Sequence, residues 1–270
     1  MGFRGASADT VATLSTELAG ILAASPASAS TIGDDLFSLA QTLRSEGSLR
    51  RFATDASIAP AAKSGLVQQV FGAKVDAGAL AVLDKAVRSR WTVGRDLADA
   101  LEHLSVVAAV RSAGPEGERI SDELFGVASL VKDNPALRDA LSDPARSMED
   151  KGRLLDDLLG GKTLPQTVVL ARRSVAGAHR TVAVALEEYQ KVAAEVRDQG
   201  VATVRVARDL SEGDRQRLAD ALARQYGRRV HLNLLVDPDV LGGIRVEIGD
   251  DVIDGTVSSR LDDARRRLVG

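Results

Sequence analysis

Part of this chain occurs twice, and that repetition limits its possible folds more than any other feature. Residues 32–74 and 120–162 are offset by 120 − 32 = 88. Ile32, Asp34, Leu36, Phe37, Ala40, Leu49, Arg50, Asp55, Lys63, Leu66, Gly72 and Lys74 recur as Ile120, Asp122, Leu124, Phe125, Ala128, Leu137, Arg138, Asp143, Lys151, Leu154, Gly160 and Lys162. Residues 95–109 recur at 180–194, an offset of 85, with Arg95, Ala98, Ala100, Leu101, Glu102, Val107, Ala108 and Ala109 unchanged. Chance in a chain rich in Ala, Leu and Val accounts for roughly one match in ten. Two matching blocks in the same order, separated by a three-residue deletion, mark duplication of a whole folding unit.

The repeated unit reads as helical. Leu36, Leu39, Ala40 and Leu43 fall at i, i+3, i+4 and i+7, as do Leu124, Val127, Ala128 and Val131. Leu80, Leu83, Val87 and Trp91 form a further stripe. Ser147-Met-Glu-Asp150 is a capping box, and Asn134-Pro135 is a helix start with Asn as cap. Gly160 stops the helix after the box, and Gly114 and Gly200 are expected to end the longest helix of each copy. The first copy has an extra opening helix near residues 9–24, followed by the small-residue linker Ser25-Pro-Ala-Ser-Ala-Ser30. The second has only the linker 114–118, which leaves open that the long helix ending near Arg111 serves both copies.

Composition fits closely packed helices. Apolar residues are 44% of the chain and aromatics only 3%, so the core is built from small and medium side chains. With 35 basic and 38 acidic residues the net charge is −3, which gives no push toward nucleic acid or an anionic membrane surface. There is no cysteine, which excludes disulfides, thiolate metal sites and a cysteine nucleophile. No uncharged apolar run reaches the ~20 residues that span a bilayer. The expectation is a soluble chain whose membrane association runs through a partner.

After Gly200 the periodicity changes. Val201, Val204 and Val206 lie in a β-favouring run, and Ser211-Glu-Gly-Asp214 opens a helix carrying Leu218, Leu222 and Tyr226. Val230, Leu232, Leu234 and Val236 alternate, and so do Ile244, Val246 and Ile248. Gly249-Asp250 is a hairpin signal before Val252-Ile253, Asp254-Gly255 is a second turn, and a last helix carries Leu261, Ala264 and Leu268. The predicted fold class is mainly α: helical copies over 1–114 and 115–199, then a small α+β domain over 200–270.

Little in the chain suggests catalysis. Gly160-Gly-Lys-Thr163 echoes a phosphate loop, but Asp156 stands where the first glycine belongs. His103, His179 and His231 show no metal-ligand spacing. Arg265-Arg-Arg267 follows Asp262-Asp263 and suits a helix C-terminus. Asp237 and Asp254 sit in Asp-Pro and Asp-Gly turns, where aspartate serves the backbone. Gly242-Gly243 is read as backbone geometry, either positive φ or a close approach. No catalytic, cofactor-binding or metal-binding residues are predicted.

The run Val236-Asp-Pro-Asp-Val-Leu-Gly-Gly-Ile-Arg-Val-Glu-Ile-Gly249, followed by Asp250-Asp-Val-Ile-Asp-Gly-Thr-Val257, resembles the delta subunit family of the F-type ATP synthase, which includes the oligomycin sensitivity conferral protein. Leu137, Arg138, Asp143 and Lys151 are similar to that family's helical domain. Asp237, Gly242, Gly243, Gly249, Asp254 and Gly255 are its signature positions here, with structural or docking roles. The usual member has one helical bundle, and this chain resembles the longer duplicated form. The resemblance implies a non-catalytic connector in the peripheral stalk, on the cytoplasmic face of the cell membrane. Its helical part would bind the N-terminal segments of alpha subunits, and its C-terminal domain the b-type stalk. Nucleic acid is not among the implied partners, and the chain is not inserted in the membrane. The second copy, which adjoins the C-terminal domain, is expected to take the alpha segments, while the first extends the stalk attachment. A helical scaffold unrelated to the synthase is the other reading.

Overall fold

In the computed structural model the described residues are 2–197, 199–238, 240, 242–248 and 251–254. The fold is mainly α with a small α+β part at the end, as expected. The chain divides into two compact units, residues 1–193 and 194–270.

The first unit opens with α1 (Ala6–Ala24). Five helices follow: α2 (Ala29–Ser45), α3 (Gly47–Thr54), α4 (Pro60–Phe71), α5 (Ala77–Arg88) and α6 (Asp96–Ser112). Five more repeat them: α7 (Gly117–Asp133), α8 (Pro135–Ser142), α9 (Met148–Leu159), α10 (Pro165–Ala176) and α11 (Val182–Val196). Both predicted bundles therefore lie within one compact unit, apart from the last residues of α11. Its core is built from buried leucines such as Leu14, Leu18, Leu36, Leu101, Leu124 and Leu170, with alanines where helices approach closely.

The second copy reproduces the first in detail. Asp35 accepts a hydrogen bond from Asp76 N at the start of α5 (2.7 Å), and its counterpart Glu123 accepts from Leu164 N at the start of α10 (2.9 Å). Arg50 donates to Arg44 O, and Arg138 to Lys132 O. Asp55 and Asp143 each accept the backbone N–H two residues on. These side chains bind backbone at helix ends and turns, which explains why they are among the residues the copies share or conserve in charge.

Two local expectations differ from the structure. Asn134 does not cap α8: its amide donates to Leu130 O, closing the preceding helix instead. Gly200 does not end α11, which stops at Val196; the glycine lies inside a strand, paired with Val230. A β-favouring run starting at Val201 drew it into the sheet.

In the second unit β1 (Gln199–Val206) pairs in parallel with β2 (Arg229–Val236) through α12 (Glu212–Tyr226). β3 (Ile244–Ile248) runs antiparallel to β1, and β4 (Asp251–Asp254) antiparallel to β3, giving the order β2-β1-β3-β4. Ala202, Val204 and Val206 of β1 alternate onto one face. There they meet Leu222 of α12, Leu232 of β2 and Val246 of β3. Ser147 and Ser211 cap α9 and α12 as their boxes predict. The last predicted helix and the Gly249-Asp250 turn lie outside the described residues.

Candidate docking grooves

The spacing of helices shows what opens the second copy. α1 ends at Ala24, a 3-10 turn covers Pro26–Ser28, and α2 starts at Ala29. α6 ends at Ser112, a 3-10 turn covers Gly114–Glu116, and α7 starts at Gly117. Each boundary is shifted by 112 − 24 = 88. Just as α1 packs on α5, α6 packs on α10. So α6 is the last helix of the first copy and also the opening helix of the second, which settles the possibility left open by the sequence. It is buried from both sides, with Leu97, Leu101, Leu104, Ser105 and Ala108 all inaccessible.

Glu102 lies at the centre of this shared helix with no solvent exposure. Its carboxylate takes Arg44 of α2 (2.5 Å), the Tyr189 hydroxyl of α11 and the backbone N–H of Ala178 (3.1 Å). Burial, then the negative charge of Glu102, raise the Tyr189 phenol well above its ordinary value, so it stays a donor. A β-carbon at Gly177 would run into Glu102 and the Tyr189 hydroxyl, so only glycine fits there. The twin of the Arg44–Glu102 pair is Lys132–Glu187, with side chains 56% and 40% exposed. The same ion pair is thus internal in one copy and superficial in the other.

The second asymmetry is a groove. Between α1 and α5 runs an open groove of about 620 Å³, lined by Thr13, Thr16, Glu17, Gly20, Ile21, Ala24 and Lys85. Lys85 and Glu17 pair across it at 2.5 Å, with side chains 41% and 39% exposed. Adding 88 gives the corresponding positions between α6 and α10: Leu101, Leu104, Ser105, Ala108, Ala109, Ser112 and Arg173. That second groove is filled by α2. Gly33 sits so close that a β-carbon there would lie 3.2 Å from Ser105 O and 3.3 Å from Ala108 Cβ. Arg173, 5% exposed, donates to Ser105 O (2.9 Å) and to Asp34 (2.6 Å), and its guanidinium lies 5.4 Å from the centre of the Phe37 ring. Gln41 donates to Ala176 O. No single residue in the sequence marks either groove. The signal was the offset of 88 carried back to residues 6–24, where only Ala12 and Ala100 are identical.

Among the signature positions, Asp237 donates its backbone N–H to Val206 O (2.8 Å), and its carboxylate lies 3.8 Å from Arg205. Gly242 and Gly243 have φ 68° and 80°, the left-handed region where a side chain is strained. Asp254 stands opposite Arg245 on the neighbouring strand. Gly249 and Gly255 lie outside the described residues. Asp237 and the two glycines thus lie between β2 and β3, and Asp254 is the last residue of β4. Lys162 and Thr163 bond back to Leu158 O and Leu159 O, a helix C-terminus without phosphate-loop geometry. Among the described residues no group of three or more His, Asp or Glu could hold a metal ion, and no helix is long and apolar enough to cross a membrane.

His103 packs edge-on against Phe3 (ring centres 6.2 Å apart), and burial lowers its pKa to about 4. The folded chain therefore holds fewer protons than the unfolded chain between that value and the ordinary 6.5. Stability should be full above pH 6.5 and decline as pH falls toward 4, by up to about 3 kcal/mol. Urea midpoints across that range check this, with His103→Leu flattening the profile.

The chain matches the family described as "ATP synthase delta (OSCP) subunit" over residues 98–268. The match starts in α6, in accord with that helix opening the second bundle. The "ATP synthase subunit delta" of a Nocardioides species is 59% identical over 240 residues, covering 88% of this chain and 87% of that protein. Kineococcus radiotolerans has one 45% identical, covering 92% and 91%. That of Streptomyces coelicolor is 40% identical over 99% of both chains, so duplicated length is shared as well. With the repeat, the α+β unit and these relatives together, the chain belongs to the ATP synthase delta (OSCP) subunit family.

Proposed function

We propose that this chain is the connector of the ATP synthase stator. It is a non-catalytic part of the peripheral stalk that joins the N-terminal segments of alpha subunits to the end of the b-type stalk. It sits at the cytoplasmic face of the cell membrane and is held there by its partners. The first helical segment, 1–114, serves the head, 115–199 extends the arm, and 200–270, with its signature turns, serves the stalk. The relatives' shared name supports the complex. Exposed Val236, Val252 and Ile253 on the α+β unit support an apolar stalk contact.

The observation that carries the reading is the open groove between α1 and α5. Amphipathic helices bind by laying an apolar stripe into such a groove. Sequence order favoured the second copy as the alpha site. The first copy takes the alpha segment instead, because the equivalent groove of the second is already occupied by α2. Separate contacts at the two ends of one chain reinforce each other, which suits a joint under rotational load. Family membership removes the support for an unrelated scaffold.

The test is capture of an alpha N-terminal peptide by the full chain. Gly20→Trp fills the open groove at a position with nothing within 4 Å and should abolish capture. Val184→Trp, on an exposed face of the second copy, should leave it unchanged. The reverse pattern overturns the assignment.

A further inference from the structure

We infer that the helix received by the α1–α5 groove carries the contact stripe of the chain's own α2: a small residue, an acidic residue beside it, and an aromatic residue three positions beyond the acid. This rests on the groove being the head site and adds what the incoming helix must look like. The two grooves are copies of one structure, and one of them holds its helix in view. There Gly33, Asp34, Phe37 and Gln41 lie at i, i+1, i+4 and i+8 on one face of α2. Gly33 allows backbone contact with Ser105 and Ala108, whose counterparts in the open groove are Glu17 and Gly20. No atom lies within 4 Å of a β-carbon at Gly20, so an equally close approach is free there.

The electrostatics transfer as well. Arg173 takes the Asp34 carboxylate and covers the Phe37 ring. Its counterpart is Lys85, whose ammonium is paired only with half-exposed Glu17 among the described residues. An incoming carboxylate can replace Glu17, which swings into water. Thr13 and Thr16 stand where the filled groove has Leu101 and Leu104. The open groove is therefore less apolar and suits a separate, exchangeable helix rather than a permanent internal one. It also follows that each chain receives one such helix, since α2 blocks the second position.

The probe is a lactam-stapled peptide copying residues 29–45. The chain has no cysteine, so Ala23→Cys, exposed on α1 outside the groove lining, carries a single bimane reporter in the full chain and leaves Gly20 free. Saturable one-to-one binding is expected. Asp34→Lys in the peptide should weaken it at least tenfold, as should Lys85→Glu in the chain. The two changes together should recover most of the affinity, and circular dichroism verifies the fold of each variant. No binding of the stapled peptide, or binding indifferent to Lys85 and Asp34, overturns the inference. If an alpha N-terminal peptide still shifts the reporter in that case, the head-site reading stands. If the α2 peptide binds with the expected charge dependence and the alpha peptide does not, the groove chemistry stands and the head-site reading fails.

Discussion

Replacing Glu102 by alanine is expected to cost about 3–5 kcal/mol of folding stability. The carboxylate is inaccessible and serves three donors from three parts of the chain. Alanine leaves the Tyr189 hydroxyl, itself 2% exposed, without its acceptor. A stranded buried donor alone costs roughly 1–3 kcal/mol. Arg44 keeps Asp99 at 2.9 Å, which limits the charge penalty. Glu102→Gln retains an acceptor and should cost about 1–2 kcal/mol, the value of a charge-assisted bond weakened to a neutral one. The twin substitution Glu187→Ala is the informative control. Its pair with Lys132 is solvent-exposed, so its loss should stay below about 1 kcal/mol. Urea unfolding of the three variants measures this, and equal costs at Glu102 and Glu187 would show that the copies are not packed as described.

The second large effect concerns cutting the chain between the copies. Residues 115–197 expressed alone should show no cooperative unfolding transition. They contain the whole of the repeat as it reads in sequence, α7 to α11, but lack α6. Without it the buried faces of Leu124, Leu170 and Tyr189 lose the helix they pack around, and a chain this short has little core to spare. Residues 94–197 restore α6 and should fold. They should also self-associate, because α2 no longer covers the face of α6 around Ala108 and Ala109 and an apolar patch becomes exposed. Calorimetry and sedimentation distinguish the two fragments. A sharp transition for 115–197 would mean that α6 belongs to the first copy alone.

Much of this architecture was legible because it is periodic. Leucine stripes, the boxes at Ser147 and Ser211, and alternation over 230–234 and 244–248 each report a local preference that the tertiary structure respects, although Val236 at the end of β2 is exposed. The failures have a common cause. Asn134 and Gly200 each suggest a helix boundary by their own chemistry, and neighbours override both: a carbonyl of α7 in one case, the β2 strand in the other. The opening helix of the second copy was obscured for a different reason. α6 packs on both sides, so it could not keep the amphipathic pattern of α1 and retains only Ala100 in common. The groove was invisible for the same reason: Glu17 and Lys85 look like any surface ion pair until their positions are compared with Ser105 and Arg173.

Because α6 closes one bundle and opens the next, the copying unit is five helices long although each bundle contains six. Length in this family can therefore change in steps of 88 residues without leaving a broken bundle. Excising residues 6–93 would bring α6 to the front as an ordinary first helix, and the remaining chain would be a complete single-bundle protein. The same excision would remove α2 and uncover the groove it fills. A short ancestor of this chain would thus have offered its partner the surface that the long form now uses to hold itself together.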